Sequence, residues 1–362
     1  MAEFDYKKKY VAYVSSYTMK NKNGITIFDV DVENGIMKER ECIEITNSSY
    51  LTCSHNGRYL YSITDMGVKS FRILKDGSLD EINSASINGM RGCYLSTDHD
   101  GRFLFVAGYH DGKITVLRLL EDGSVGEITD EIYIQGMGEV AERSFHPHVN
   151  CVKVSRDNRY LFAADSGMDH VNVYEFNKES GKLKIVDIIR SNVNSGPKHI
   201  VFSRNGKYVY IVHEIQNAVD VYSYKMNDNY PEFERIQTIS TINEYHAQNC
   251  ISCTLKLSCD GNYLISSSAG NNSVVVFRID QETGLLTKVF CLPISGSYPK
   301  DAALFPDGRH LVSLNNESGT MTFFHSDLEN GIIAMSSKEI KIERPNCIIF
   351  YAIGDTSESL IV

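Results

Sequence analysis

One phrase recurs along this chain and constrains its fold more than any other feature. It is an Asx turn followed by a strand led by a ring side chain. The copies are His55-Asn56-Gly57-Arg58-Tyr59-Leu60-Tyr61, Asp100-Gly101-Arg102-Phe103-Leu104-Phe105, Asp157-Asn158-Arg159-Tyr160-Leu161-Phe162, Asn205-Gly206-Lys207-Tyr208-Val209-Tyr210, Asp260-Gly261-Asn262-Tyr263-Leu264-Ile265 and Asp307-Gly308-Arg309-His310-Leu311-Val312. Tyr10 in Lys9-Tyr10-Val11-Ala12-Tyr13 starts a seventh copy without its turn. The anchors at 10, 59, 103, 160, 208, 263 and 310 lie 44 to 57 residues apart, with a mean of 50. A second, alternating strand follows each anchor, as in Val171-Asn172-Val173-Tyr174 and Val219-Asp220-Val221-Tyr222. Turns such as Asp76-Gly77, Asp122-Gly123, Ser180-Gly181, Thr283-Gly284 and Asn330-Gly331 then read as hairpins.

Each unit therefore reads as four antiparallel strands, and no long stretch keeps the 3.6-residue period of a capped helix. Seven such units describe an all-β, seven-bladed β-propeller spanning residues 1–362 as a single domain. One four-stranded sheet buries too little alone, so stacked blades must share a core. The first unit lacks an opening strand, and Pro345-Asn346-Cys347-Ile348-Ile349-Phe350 supplies a spare one. The C-terminal strand is expected to complete the first blade and close the ring. The absence of tryptophan excludes a WD-signature propeller.

The charge balance narrows the partners. With 36 Lys+Arg against 46 Asp+Glu, the net charge is −10, which argues against nucleic acid or an anionic membrane as partner. No apolar run approaches a membrane span, and the start lacks an apolar signal core, so a cytoplasmic protein is expected. The nine cysteines are scattered, mostly inside apolar runs. Cys250-Ile251-Ser252-Cys253 finds no second pair to complete a zinc site. Neither a metal nor another cofactor is indicated, and ring closure makes a monomer the expectation.

The meander also says where a site belongs. In each unit the start of strand one and the end of strand two share an edge, and strand one is innermost, so these ends gather around one mouth of the central channel. The fifth unit brings Pro197-Lys198-His199 and His213-Glu214 there. The fourth brings His146-Pro147-His148-Val149-Asn150 and Asp165, the third Met90-Arg91-Gly92 and Tyr109-His110, and the seventh Pro299-Lys300-Asp301 and Asn315-Asn316-Glu317. Glu214 stands out as a carboxylate following an apolar strand and facing basic groups. Each of the others also has a bland reading: packed histidines, rim lysines, and a turn-forming Asp165. Glu139, Glu142 and Arg143 fall in an insertion expected to flap over the mouth.

These residues resemble the lactonase family of propellers, which includes bacterial 6-phosphogluconolactonases and fungal carboxy-muconate cyclising enzymes. The resemblance runs over essentially the whole chain. It is most specific at Gly196-Pro197-Lys198-His199, Asn205-Gly206-Lys207-Tyr208-Val209-Tyr210, Glu214 and Val219-Asp220-Val221-Tyr222, against family patterns GPRH, NGKYxY, NE and VxVY. Asp165-Ser166-Gly167-Met168-Asp169 matches DLGxD, and Tyr109 follows a family-like third blade. The family's active-site Glu carries over to Glu214, and its GPRH arginine becomes Lys198, which loses the two-pronged donor. The PHPH element reads in two registers, with its second histidine on His148 by motif or on Asn150 by counting back from Ser155. A family Arg falls on Ala269, a family Glu on Thr254, and the last-blade PRG reads Pro299-Lys300-Asp301.

The resemblance implies hydrolysis of a sugar lactone, such as 6-phosphogluconolactone to 6-phosphogluconate in the pentose phosphate pathway. Glu214 would activate or orient water, Lys198 would stabilise the oxyanion, and His148 would donate a hydrogen bond or proton. His199, His146, Asn150, Tyr109 and Asp165 would contact substrate, with Lys300 and Arg143 as counter-charges for a phosphate. The rival readings are a non-catalytic propeller that binds a small anion or a protein at the same mouth, and a lactonase or cyclase for another acid.

Overall fold

The computed structural model describes residues 4–19, 22–136, 146–227, 230–243 and 250–354. Arg143, Glu139 and Glu142 lie outside the described residues. The strands form seven antiparallel sheets arranged as blades. Blade one pairs Pro345–Ala352 with Tyr10–Ser16, followed by Ile25–Asp31 and Ile36–Ile43, so the C-terminal strand closes the ring. Blades two to five follow the plain four-strand meander, and blade five runs Pro197–Phe202, Tyr208–His213, Ala218–Asn227 and Tyr230–Ser240. In blade six the first strand is broken into Ile251–Ser252 and Lys256–Leu257, and in blade seven the outer strand is broken into Ile332–Met335 and Ile340–Lys341.

Contacts between neighbouring blades explain the repeat. At several seams the ring that leads the second strand lies on the outer hairpin of the next blade. Tyr59 covers Gly123, Phe103 covers Gly181 and Tyr208 covers Gly284, and a Cβ on any of these glycines would meet the ring at 2.2–2.4 Å. The outer Asx-Gly turns and the aromatic anchors are thus two halves of one contact. Tyrosine hydroxyls add hydrogen bonds across the same seams, from Tyr13 to Gly77 O at 2.8 Å and from Tyr210 to Gly284 O at 3.1 Å. The core fills the spaces between sheets, as where Phe162 meets Phe202 edge-on at 4.9 Å. At the closure, Phe305 of blade seven packs at 4.9 Å on Phe350 of the C-terminal strand. No helix among the described residues is long and apolar enough to cross a membrane.

Candidate active site at one mouth of the channel

Register places the site. Strand one of blades four, five and seven pairs with strand two through Val149↔Asp165, Pro197↔His213 and Pro299↔Asn315, and each ladder then skips one residue. The skipped residues are Asn150, Lys198 and Lys300. In blade one the corresponding shift leaves out Asn346. A bulge re-aims the side chain of its extra residue, and here four bulges at one repeat position ring the same mouth. The two readings of the His146–Asn150 segment are thereby resolved: Asn150 takes the position of Lys198 and Lys300, while His148 precedes the bulge.

The residue directly after strand two is the second ring position. It is Tyr17, Asp65, Tyr109, Ser166, Glu214, Gly270 and Asn316 in blades one to seven. Lys198 Nζ lies 3.2 Å from Glu214 Oε1, and both side chains keep under a fifth of their surface exposed. Burial works against the Lys198 charge, but the Glu214 carboxylate more than offsets it, so the ammonium sits above its ordinary pKa. Lys198 is therefore a fixed cation and not a base. Glu214 N–H donates to Gly196 O at 2.6 Å and its carbonyl accepts from Ser252 N–H, which pins the carboxylate between blades five and six. Glu214 Oε2 has no hydrogen-bond donor among the described residues.

His148 stacks on Tyr109 with ring centroids 4.2 Å apart, and its Nδ1 lies 2.8 Å from Tyr109 O. A carbonyl only accepts, so Nδ1 carries the proton and Nε2 presents a lone pair. Burial pulls the His148 pKa below 6.5, outweighing the Tyr109 carbonyl and the Glu214 charge. His148 at neutral pH is thus an acceptor, which corrects the expectation that it donates. If the neutral ring is the working form, kcat/KM should hold level at neutral pH and fall only as the pH drops through the lowered His148 pKa. A His148→Gln pH profile checks this: the acid limb should disappear, and an unchanged limb would assign it to another group.

Asp165 does not reach the mouth. It is fully buried and its Oδ1 accepts the N–H groups of His148 at 2.8 Å, Gly167 at 3.0 Å and Met168 at 3.1 Å. It holds the strand that carries His148 through these bonds, in line with its turn-forming reading. Gly167 is required beside it, since a Cβ there would lie 2.0 Å from His146 O. His146 is exposed, 4.1 Å from His148. Asn150 donates to Ser166 Oγ at 2.6 Å. His199 lies deeper, edge-on to Tyr94 at 5.2 Å and Tyr50 at 6.1 Å. Burial first, then Lys198, Lys256, Lys153 and Lys300, push its pKa down to about 3, so it is a neutral floor under the mouth.

Across the mouth, Lys300 Nζ sits 4.6 Å from the Tyr17 ring centroid and 3.3 Å from its hydroxyl, and Arg91 rests on the same ring at 4.9 Å. Arg91 also pairs with Asp65 at 3.4 Å. Two cations thus meet at one aromatic platform. Tyr17 escaped the sequence reading, although its place after strand two, matching Glu214 and Tyr109, was a readable signal. In blade six, Ala269 is fully buried, and Thr254 donates inward to Asp301 at 2.9 Å. Cys250 and Cys253 form no disulfide among the described residues, and no described cluster of three or more His, Cys, Asp or Glu is arranged to hold a metal.

Fold and mouth define a seven-bladed propeller with a cluster of charged and aromatic side chains at one end of its axis. The family described as lactonase, 7-bladed beta-propeller, matches residues 11–350. The 6-phosphogluconolactonase of Bacillus subtilis is 30% identical over 348 residues, covering 94% of this chain and 98% of that protein. The 6-phosphogluconolactonase of Formosa agariphila is 30% identical over 346 residues, covering 91% and 96%. The solved periplasmic gluconolactonase of Pseudomonas aeruginosa superposes with a TM-score of 0.89 at 26% identity, over 96% of this chain and all of that one. The chain belongs to the lactonase family of seven-bladed β-propellers and is a carboxylic ester hydrolase that opens lactones.

Proposed function

We propose that the chain hydrolyses 6-phosphogluconolactone, with the half-buried Lys198–Glu214 pair as its catalytic centre. The names of the Bacillus and Formosa relatives support the substrate. The observation that carries the reading is this pair at a mouth that also holds two cations on one ring. Water, oriented by Glu214 Oε2, attacks the lactone carbonyl carbon and gives its proton to the carboxylate. The oxyanion forms against the Lys198 ammonium, which is in place before charge develops. Collapse breaks the bond between carbonyl carbon and ring oxygen, and the proton on Glu214 passes to that oxygen, leaving the open-chain acid and a free base. His148 Nε2 accepts a hydrogen bond from a sugar hydroxyl. Lys300 and Arg91 hold the phosphate over Tyr17. A phosphorylated sugar does not cross a membrane unaided, so we place the reaction in the cytoplasm, within the pentose phosphate pathway. With its ring closed the chain acts as a monomer.

Lys300→Met tests the phosphate assignment. For 6-phosphogluconolactone it should raise KM roughly tenfold or more, since one charge-assisted contact is lost, with kcat little changed. For unphosphorylated glucono-lactone it should change neither constant. Equal loss on both substrates would refute the phosphate role.

A further inference from the structure

The other end of the channel carries a second charged ring with no part in this chemistry. Each inner turn of the repeat uses the residue before it and the Asx within it. Ser155 Oγ bonds Asp157, Ser203 Oγ bonds Asn205, and Ser258 Oγ bonds Asp260. The residue between them reaches toward the next blade: Arg156 and Arg204 lie against the inner-turn glycines Gly206 and Gly261, and His99 Nε2 donates to Ser155 O at 2.9 Å. That residue is His55, His99, Arg156, Arg204, Cys259 and Pro306 in blades two to seven; burial pulls both histidines below their ordinary pKa, so Arg156 and Arg204 carry the charge at this position. The first five line a central cavity of about 530 Å³, and Lys153 and Lys256 lie further in. Tyr50 and Tyr94 also line it, and His199 packs edge-on against both rings.

Lys256 is neutralised by Asp301, but Lys153, Arg156 and Arg204 have no carboxylate partner among the described residues. The acids nearby are consumed by their own turns. Asp98 accepts from the N–H groups of Arg102 and Phe103 at 2.7 and 2.8 Å, Asp157 from Arg159 N–H and the Tyr224 hydroxyl, and Asp260 from Asn262 N–H. Each cation faces another: Arg156 feels Arg204, and Lys153 feels Arg156. His55 and His99 lie 4.2 Å apart within the same field. Convergent cations at a concave wall, unpaired and mutually repelling, are stabilised by an anion that bridges them.

We propose that this end of the channel is a second binding site, for a small phosphate-type anion with two or more charges, held by Arg156, Arg204 and Lys153. Inorganic pyrophosphate is the probe, titrated calorimetrically at moderate salt into wild type, Arg156→Ala/Arg204→Ala, Lys153→Met and Lys300→Met. Wild type should bind saturably. The double variant should bind about tenfold or more weakly, and Lys300→Met within roughly twofold of wild type. Without the anion the double variant should melt no lower than wild type, because repulsion is relieved, and it should lose the rise in Tm that pyrophosphate gives wild type. If that variant does not fold, Lys153→Met carries the comparison, with weakened binding expected. Absence of saturable binding to wild type overturns the proposal. So does binding lost in Lys300→Met but kept in the other variants, which would place the ion at the catalytic mouth.

Discussion

Asp301→Ala is expected to destabilise the protein by about 3–5 kcal/mol, the cost of leaving a buried ammonium without its partner. Asp301 is almost fully buried at the seam where the ring closes. Its carboxylate accepts from Lys256 Nζ and Thr254 of blade six and, at 2.9 Å, from Ile348 N–H of the C-terminal strand. Lys256 in turn donates to Ile348 O at 2.7 Å. Burial opposes the Lys256 charge and Asp301 outweighs it, so the ammonium is held above its ordinary pKa. The cluster therefore ties blades six, seven and one together. Chemical unfolding of Asp301→Ala should show the loss, and adding Lys256→Met should recover much of it, because the stranded charge is then gone. A loss below about 1 kcal/mol in the single variant, typical of a surface site, would contradict this role.

Lys198→Met is expected to lower kcat roughly 100- to 1,000-fold, the scale of losing one preorganised oxyanion partner. The ammonium meets Glu214 at a single contact of 3.2 Å. An arginine there could engage carboxylate and oxyanion through different nitrogens. Lys198→Arg is accordingly expected to stay active, while Lys198→Met fails even at saturating lactone. If Lys198→Met altered only KM, Lys198 would be a binding residue and the oxyanion role would fall.

The scaffold was legible because its cause is periodic. The aromatic anchors and outer Asx-Gly turns recur together because at several seams the ring packs on a bare glycine of the next blade. The closing strand was legible because blade one lacked its own first strand. The break in blade six was not: Cys253 still donates its N–H to its register partner Ser267, and the pairing slips at Thr254-Leu255 without any proline or glycine to mark it. At the mouth, Glu214 and Lys198 stood out by charge against apolar strands. The His146–Asn150 register did not, because a bulge shifts pairing by one residue and composition carries no trace of it. His148 was read with the opposite hydrogen-bond sense because its tautomer depends on a carbonyl in another blade. Asp301 was visible only as a departure from the family's glycine. The structure links it to a second departure, since Thr254 stands where the family has Glu and bonds Asp301: a carboxylate missing from blade six reappears across the seam in blade seven.

The central claim is that Glu214 activates the water that opens the lactone ring. Acid release from freshly prepared 6-phosphogluconolactone, followed by pH-stat in wild type and in Glu214→Gln, tests it most directly. Wild type should run well above spontaneous hydrolysis, and Glu214→Gln should lose roughly 100- to 10,000-fold, the range for removing a general base. A Glu214→Gln enzyme as fast as wild type, or a wild type no faster than water, would contradict it.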